Sequence, residues 1–164
     1  LYGVETVSLR LAAVLGGPDA TVTSVPGRLF ARLIAAARDG GEHLLDDPLL
    51  AWSGEEEFVD FRDGAAAALA ALDATAPRQG VYSIAHPRAW TLAGLADEVA
   101  RLFGTFTLRL PAPVTTGFAG FPHPRPALSD LSAARDELGF APRHPLADTL
   151  ALWHDAHPAQ ETRQ

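Results

Sequence analysis

Residues 55–72 read "EEEFVDFRDGAAAALAAL", and the side-chain period changes halfway along. Residues 57–61 alternate as a β-strand does, whereas residues 64–72 are mostly Ala and Leu with no β-branched side chain, which is helix chemistry. Asp63 stands at the join, where its carboxylate is expected to accept from the first free amides of the helix. A strand running straight into a helix is the building unit of an α/β fold, and the neighbouring segments are read against that expectation.

Upstream, "ETVSLRLAAVL" (residues 5–15) is a near-continuous apolar run, as a strand buried on both faces would be. Arg10 within it is expected in a buried ion pair. After the turn "GGPDAT", the segment "VPGRLFARLIAAARDGG" (25–41) spaces Leu29, Leu33, Ala36 and Ala37 along one helical face, with Gly40 and Gly41 as its stop. "EHLLDDPLLAW" (42–52) contains Pro48 and reads as an edge segment or a loop around a short strand.

Downstream, "GVYSIAH" (80–86) is a short buried strand. Thr91 then caps a helix whose Leu95, Val99 and Leu102 form an apolar stripe, ended by Gly104. "TFTLRLPAP" (105–113) alternates as a strand, and "VTTGFAGFPHPRP" (114–126) is a Gly/Pro-rich loop of the length that closes over a site. "LSAARDEL" (131–138) makes a short helix closed by Gly139, and "HPLADTLALWHDA" (144–156) the last one. The tail is expected to fray. With no internal repeat or low-complexity linker, a single α/β unit accounts for the chain.

The 164 residues are 48% hydrophobic and 20% charged, enough for one domain with a real core. No apolar run approaches the roughly 18–20 residues of a membrane span, and no targeting segment is visible, so a cytoplasmic protein is expected. A net charge of -7 disfavours nucleic acid and anionic membranes as partners. Cys is absent, which excludes disulfides and thiolate metal sites. Met and Lys are absent too, all 13 basic side chains other than His being Arg, and residue 1 is expected to lie inside a longer protein.

Several residues carry two readings. Glu55–Glu57 read most simply as a solvated loop end. His86, His123, His144, His154 and His157 are scattered without ligand spacing, apart from the last two, so no metal site is expected. Trp52, Trp90 and Trp153 read as core or rim packing. Phe118 and Phe121 either line a pocket or are ordinary loop burial.

Four segments, in order, resemble the C-terminal half of the NAD-dependent epimerase/dehydratase family of extended short-chain dehydrogenase/reductases. "YGVETVSLRLAAVLGGP" is similar to that family's strand from Tyr-Gly to a Val-Tyr-Gly-Pro turn, and "EEFVDFRDGAAAALAAL" to its Arg-Asp-Phe-Val-His-Val-Asp-Asp segment. "GVYSIAHPRAWTLAGLADEVARLFG" resembles its Tyr-Asn-Ile-Gly strand and following helix, and "LSAARDELGFAPRHPLADTL" its terminal Leu-Gly-Trp-x-Pro signature.

The resemblance implies an α/β fold: the C-terminal part of a Rossmann-like extended reductase, with a small substrate-binding subdomain of short strands and helices. Residues 1–164 would be the substrate-binding portion. The Gly-rich pyrophosphate loop and the catalytic Tyr/Lys pair would lie in a preceding dinucleotide-binding domain. Tyr2 has Thr6 where the family has its Lys, so no catalytic residue is assigned.

NAD or NADP is the implied cofactor, with Ala12, Ala13 and Val14 as backbone walls near the nicotinamide. The implied partner is a small-molecule substrate, a nucleotide sugar or a smaller hydroxyl or carbonyl compound. Ala13, Ser24, Val25, Glu56, Ser83, Phe118, Phe121 and Arg125 are its candidate contacts, and a homodimer is the candidate assembly. Where the family contacts substrate with an Asn and two Arg, this chain has Ala13, Glu56 and Arg125. A carboxylate at a cation's position repels a diphosphate. The alternative on the same scaffold is a non-catalytic relative that senses a dinucleotide or binds a protein partner, and a free-standing protein is the third reading.

Overall fold

The computed structural model describes residues 6–17, 23–75 and 77–156. Tyr2, His157 and most of the "GGPDAT" turn lie outside the described residues. In chain order the elements are β1 (Ser8–Leu11), β2 (Ala13–Leu15), α1 (Val25–Asp39), β3 (Glu42–Leu44), β4 (Glu56–Asp60), α2 (Phe61–Asp73), β5 (Val81–Ile84), β6 (Ala89–Trp90), α3 (Leu92–Phe103), β7 (Thr107–Arg109), α4 (Ser132–Leu138) and α5 (Leu146–Ala156).

The strands form three small sheets among the described residues. β1 pairs in parallel with β5, Leu11 opposite Ile84. β2 pairs in parallel with β4, Ala13 opposite Phe58, and β4 pairs antiparallel with β6. β3 and β7 form a parallel pair held at its start by the Thr107 amide on the Gly41 carbonyl.

The apolar run at residues 5–15 is therefore two strands rather than one. The break is at Ala12, whose amide donates to the Ile84 carbonyl at 2.9 Å before the chain changes partner from β5 to β4. The expectation of burial on both faces fails for β1. Arg10 is exposed and Leu11 is 41% exposed, because β1 has a neighbour along one edge only among the described residues. Arg10 makes no buried ion pair there.

Two apolar clusters pack against these sheets. The larger gathers Leu29, Phe30 and Leu33 of α1, Leu95 and Val99 of α3, Phe58 of β4 and Leu150 of α5. The smaller holds Val59, Ala67, Tyr82, Ile84, Ala134 and Leu138, between the β1–β5 pair and helices α2 and α4. Of the predicted α3 stripe, Leu95 and Val99 are buried, while Leu102 sits at the rim. α1 and α3 approach so closely that a Cβ on Gly104 would stand 2.4 Å from the Ala37 carbonyl oxygen, and Gly104 also has a positive φ of 126°. Glycine alone fits there without strain.

The caps bear out the reading of Thr91, reveal Ser24 as the cap of α1 and correct the reading of α2. Ser24 and Thr91 accept from the Gly27 and Gly94 amides at 3.1 Å. α2 starts three residues earlier than Asp63 would require, capped by Asp60, which accepts from the Arg62 amide at 2.8 Å. Asp63 lies one turn inside, buried, and accepts instead from the Arg143 and His144 amides, each at 3.0 Å. It ties α2 to the loop that feeds α5. Replacing Asp63 by Ala leaves two amides without their acceptor, and should lower stability by about 1–3 kcal/mol in urea unfolding.

Candidate functional site

β4 is five residues long, and all five are buried: Glu56, Glu57, Phe58, Val59 and Asp60. The solvated-end reading of the acidic run holds only for Glu55. Phe58 and Val59 alternate into the two apolar clusters, which draws the flanking carboxylates inward with them. Buried carboxylates need partners, and each has them.

Arg125 bridges the first two. Its Nε and Nη2 donate to Glu56 Oε1 at 2.9 and 2.6 Å, and its Nη1 stands 3.1 Å from Glu57 Oε2. Ser129 completes Glu57, its amide donating to Oε1 at 3.0 Å and its hydroxyl to Oε2 at 2.7 Å. The Glu57 amide in turn donates to Glu56 Oε1 at 2.9 Å. Two carboxylates and one guanidinium leave a formal charge of one minus two, or minus one, at the start of β4.

The Gly/Pro-rich loop delivers Arg125 to this place. The Ser53 amide donates to Thr116 O at 2.9 Å and the Ala119 amide to Leu49 O at 3.1 Å, strapping the loop to residues 49–53. Phe118 inserts between Trp52 and Phe58, with ring centroids 5.3 and 5.7 Å away. A Cβ on Gly117 would stand 2.3 Å from His123 O, so the turn that brings the chain back toward Arg125 admits only glycine.

At the other end of β4, Asp60 accepts from Thr149 Oγ1 at 2.6 Å and from Arg62 Nε and Nη2 at 2.8 Å. Burial would raise its pKa, but the hydrogen bonds from Arg62 and Thr149 outweigh that and hold the carboxyl below its ordinary value. A small cavity of about 10 Å³, room for one water, lies between Asp60, His86, Trp90, His144 and Thr149. His86 is half-buried, and its Nδ1 accepts from the Arg88 amide at 3.2 Å. Burial lowers its pKa, Asp63 opposes that, and Arg88 adds to it. No group of three or more His, Cys, Asp or Glu side chains among the described residues could hold a metal ion.

The residues singled out from the sequence fall in several places. Glu56 and Arg125 are joined, and Phe118 reaches them through Phe58, packed in the core rather than facing a pocket. Ala12, Ala13 and Val14 lie where the chain passes from the β1–β5 pair to β2 and β4. Ser24 caps α1, Val25 opens it, Ser83 faces Arg10 across the β1–β5 pair, and Phe121 is 67% exposed. No hydrogen bond, ion pair or ring contact among the described residues joins Ser24, Val25, Ser83 or Phe121 to the Glu56–Arg125 pair. Glu57, Ser129, Asp60 and Thr149 were not singled out. The signal for the acidic ones was three carboxylates within five residues of a strand whose other members are Phe and Val.

Comparison with protein-family models and with curated proteins gives no match. Solved structures do match. WbmG of Bordetella bronchiseptica, determined in complex with NAD and UDP, superposes with a TM-score of 0.64 at 24% identity over 94% of this chain and 45% of its own. UDP-glucuronic acid 4-epimerase of Bacillus cereus, in complex with UDP-glucuronic acid and NAD, gives 0.66 at 19% over 91% of this chain and 44% of its own. UDP-glucose 4-epimerase of Thermotoga maritima, with UDP-glucose, gives 0.63 at 19% over 94% and 46%. This chain thus spans less than half the length of the structures it matches.

Two outcomes follow from the geometry. Arg125→Met strands two buried carboxylates and should cost about 3 kcal/mol in denaturant unfolding. Because the folded state depresses the pKa of His86, the unfolded chain binds its proton first; stability should therefore fall as pH drops below about 6.5, and His86→Asn should flatten that limb of a melting-temperature profile. At this level of identity the superpositions establish the fold alone, an α/β, Rossmann-like fold that this chain shares with part of each of those structures.

Proposed function

We propose that this chain is the substrate-binding portion of an NAD(P)-dependent epimerase, dehydratase or reductase acting on a nucleotide sugar or a smaller hydroxyl or carbonyl compound. The observation that carries the reading is the superposition of nearly all of this chain on under half of WbmG, determined with NAD and UDP, and of two UDP-sugar 4-epimerases, one of them determined with NAD. The edge of β1, open among the described residues, supports it. A parallel strand with Leu11 at 41% exposure and Val81 on its partner at 45% is one that a further parallel strand would cover.

The helix ends say where the cofactor would not sit. A dinucleotide pyrophosphate is held by free amides at a helix N-terminus. Here the N-termini of α1, α2 and α3 are each capped by their own side chain, Ser24, Asp60 and Thr91, and the cap of α2 is itself a carboxylate. One amide at each of these three helix ends is thus already taken, and the proposal assigns the dinucleotide to a unit outside these 164 residues. Hydride transfer is the chemistry that the nicotinamide would bring; the role of this chain is to shape the substrate pocket.

Isothermal titration tests the division of labour. The 164-residue chain should show no measurable affinity for NAD, and a longer protein containing it should bind in the micromolar range. Clear NAD binding by the 164 residues alone would refute the proposal.

A further inference from the structure

We propose that the face of the β1–β5 pair carrying Arg10 is an interface, covered in the longer protein by a helix of the same polypeptide that sets an Asp or Glu carboxylate against the Arg10 guanidinium. The inference rests on the part of the proposed function that places further chain outside these 164 residues, and it names what that chain brings.

The face is defined by register. Side chains alternate across a strand, and Val7, Leu9, Tyr82 and Ile84 pack into the smaller apolar cluster. With Ser8 opposite Val81 and Arg10 opposite Ser83, those four residues form the other face. It is open among the described residues: Ser8 and Arg10 are exposed, and Val81 is 45% exposed. Parallel sheets are found with both faces covered, and the connection that returns a chain for a parallel strand is ordinarily a helix lying on the sheet. α2 and α4 cover one face. The other cover comes from chain beyond these residues, which span less than half of each structure they match.

The charge says what that helix carries. The Arg10 side chain has no hydrogen bond, ion pair or ring contact among the described residues. A guanidinium stays protonated, so a helix laid over it must meet the charge or bear the cost of burying it alone. The face itself holds no acid, since Ser8, Val81 and Ser83 are neutral. A second copy presenting the same face would bring a second cation, so the carboxylate comes from different sequence. Ser8 and Ser83 are small, which leaves Arg10 as the one long side chain in the path of the helix. The buried ion pair expected from the apolar run at residues 5–15 is thus made with a partner outside it.

The test uses the longest natural protein containing this chain. Phenylglyoxal, read by peptide mass spectrometry, should modify Arg10 at least tenfold more slowly in the native protein than after unfolding in urea. Weaker protection overturns the inference, and this comparison needs no variant. These 164 residues contain no Lys, so Arg10→Lys adds a single side-chain amine to them. A carbodiimide condenses that amine with a carboxylate in contact, forming an amide and taking up the water released. The amide should join β1 to an Asp or Glu outside residues 1–164, in a segment whose apolar residues recur at helical spacing. Coupling within these 164 residues, to a segment without that period, or between isotopically labelled and unlabelled copies overturns the inference, as does no coupling in a folded variant. NAD titration of the same protein separates the two readings. NAD binding with a reactive Arg10 removes only this inference, whereas an Arg10 position protected and coupled to an outside carboxylate without NAD binding removes only the functional one.

Discussion

β4 carries three carboxylates, Glu56, Glu57 and Asp60, into the interior within five residues, and each buried charge must be met by hydrogen bonds and countercharge or the strand cannot sit where it does. The partners come from far away in sequence. Arg125 and Ser129 are about 70 residues from the glutamates, and Thr149 is 89 from Asp60. One short strand therefore organises the Gly/Pro-rich loop, the segment leading into α4, and α5. The apolar alternation of Phe58 and Val59 supplies the gross driving force for burial; the ion network sets which loops close over it and in what register.

The same network fixes the electrostatics at the start of β4. A lone arginine on a loop would be a receptor for anions, but an arginine clasped by two glutamates is a structural rivet with a residual negative charge around it. Phe118, wedged against Trp52 and Phe58, and the strapping hydrogen bonds to Leu49 and Thr116 keep the loop from swinging the guanidinium outward. Rigidity of the loop and neutralisation of the cation thus have one cause.

Much of the architecture was legible in the sequence because it depends on local signals. Thr91 as a cap, Gly104 as a stop and the strand at Val81–Ile84 all follow from propensity and period, and the order of segments pointed to the fold that the superpositions bear out. What was not legible depends on distant partners. Asp63 and Asp60 are equally good caps on paper; the choice is made by the Arg143 and His144 amides, which claim Asp63 from 80 residues away. Glu56 and Glu57 read as solvated because nothing local reveals Arg125. Arg10 read as buried because an apolar run normally has sheet on both sides, and among the described residues β1 has it on one.

The helix caps and the open edge of β1 bear on function in the same direction. Side-chain caps take one amide at each of the N-termini of α1, α2 and α3, while among the described residues β1 pairs along one edge only and Leu11 is 41% exposed. The switch at Ala12, where the chain leaves the β1–β5 pair for the β2–β4–β6 sheet, divides the described strands into the exposed pair and the sheet whose central strand carries the Glu56–Arg125 network.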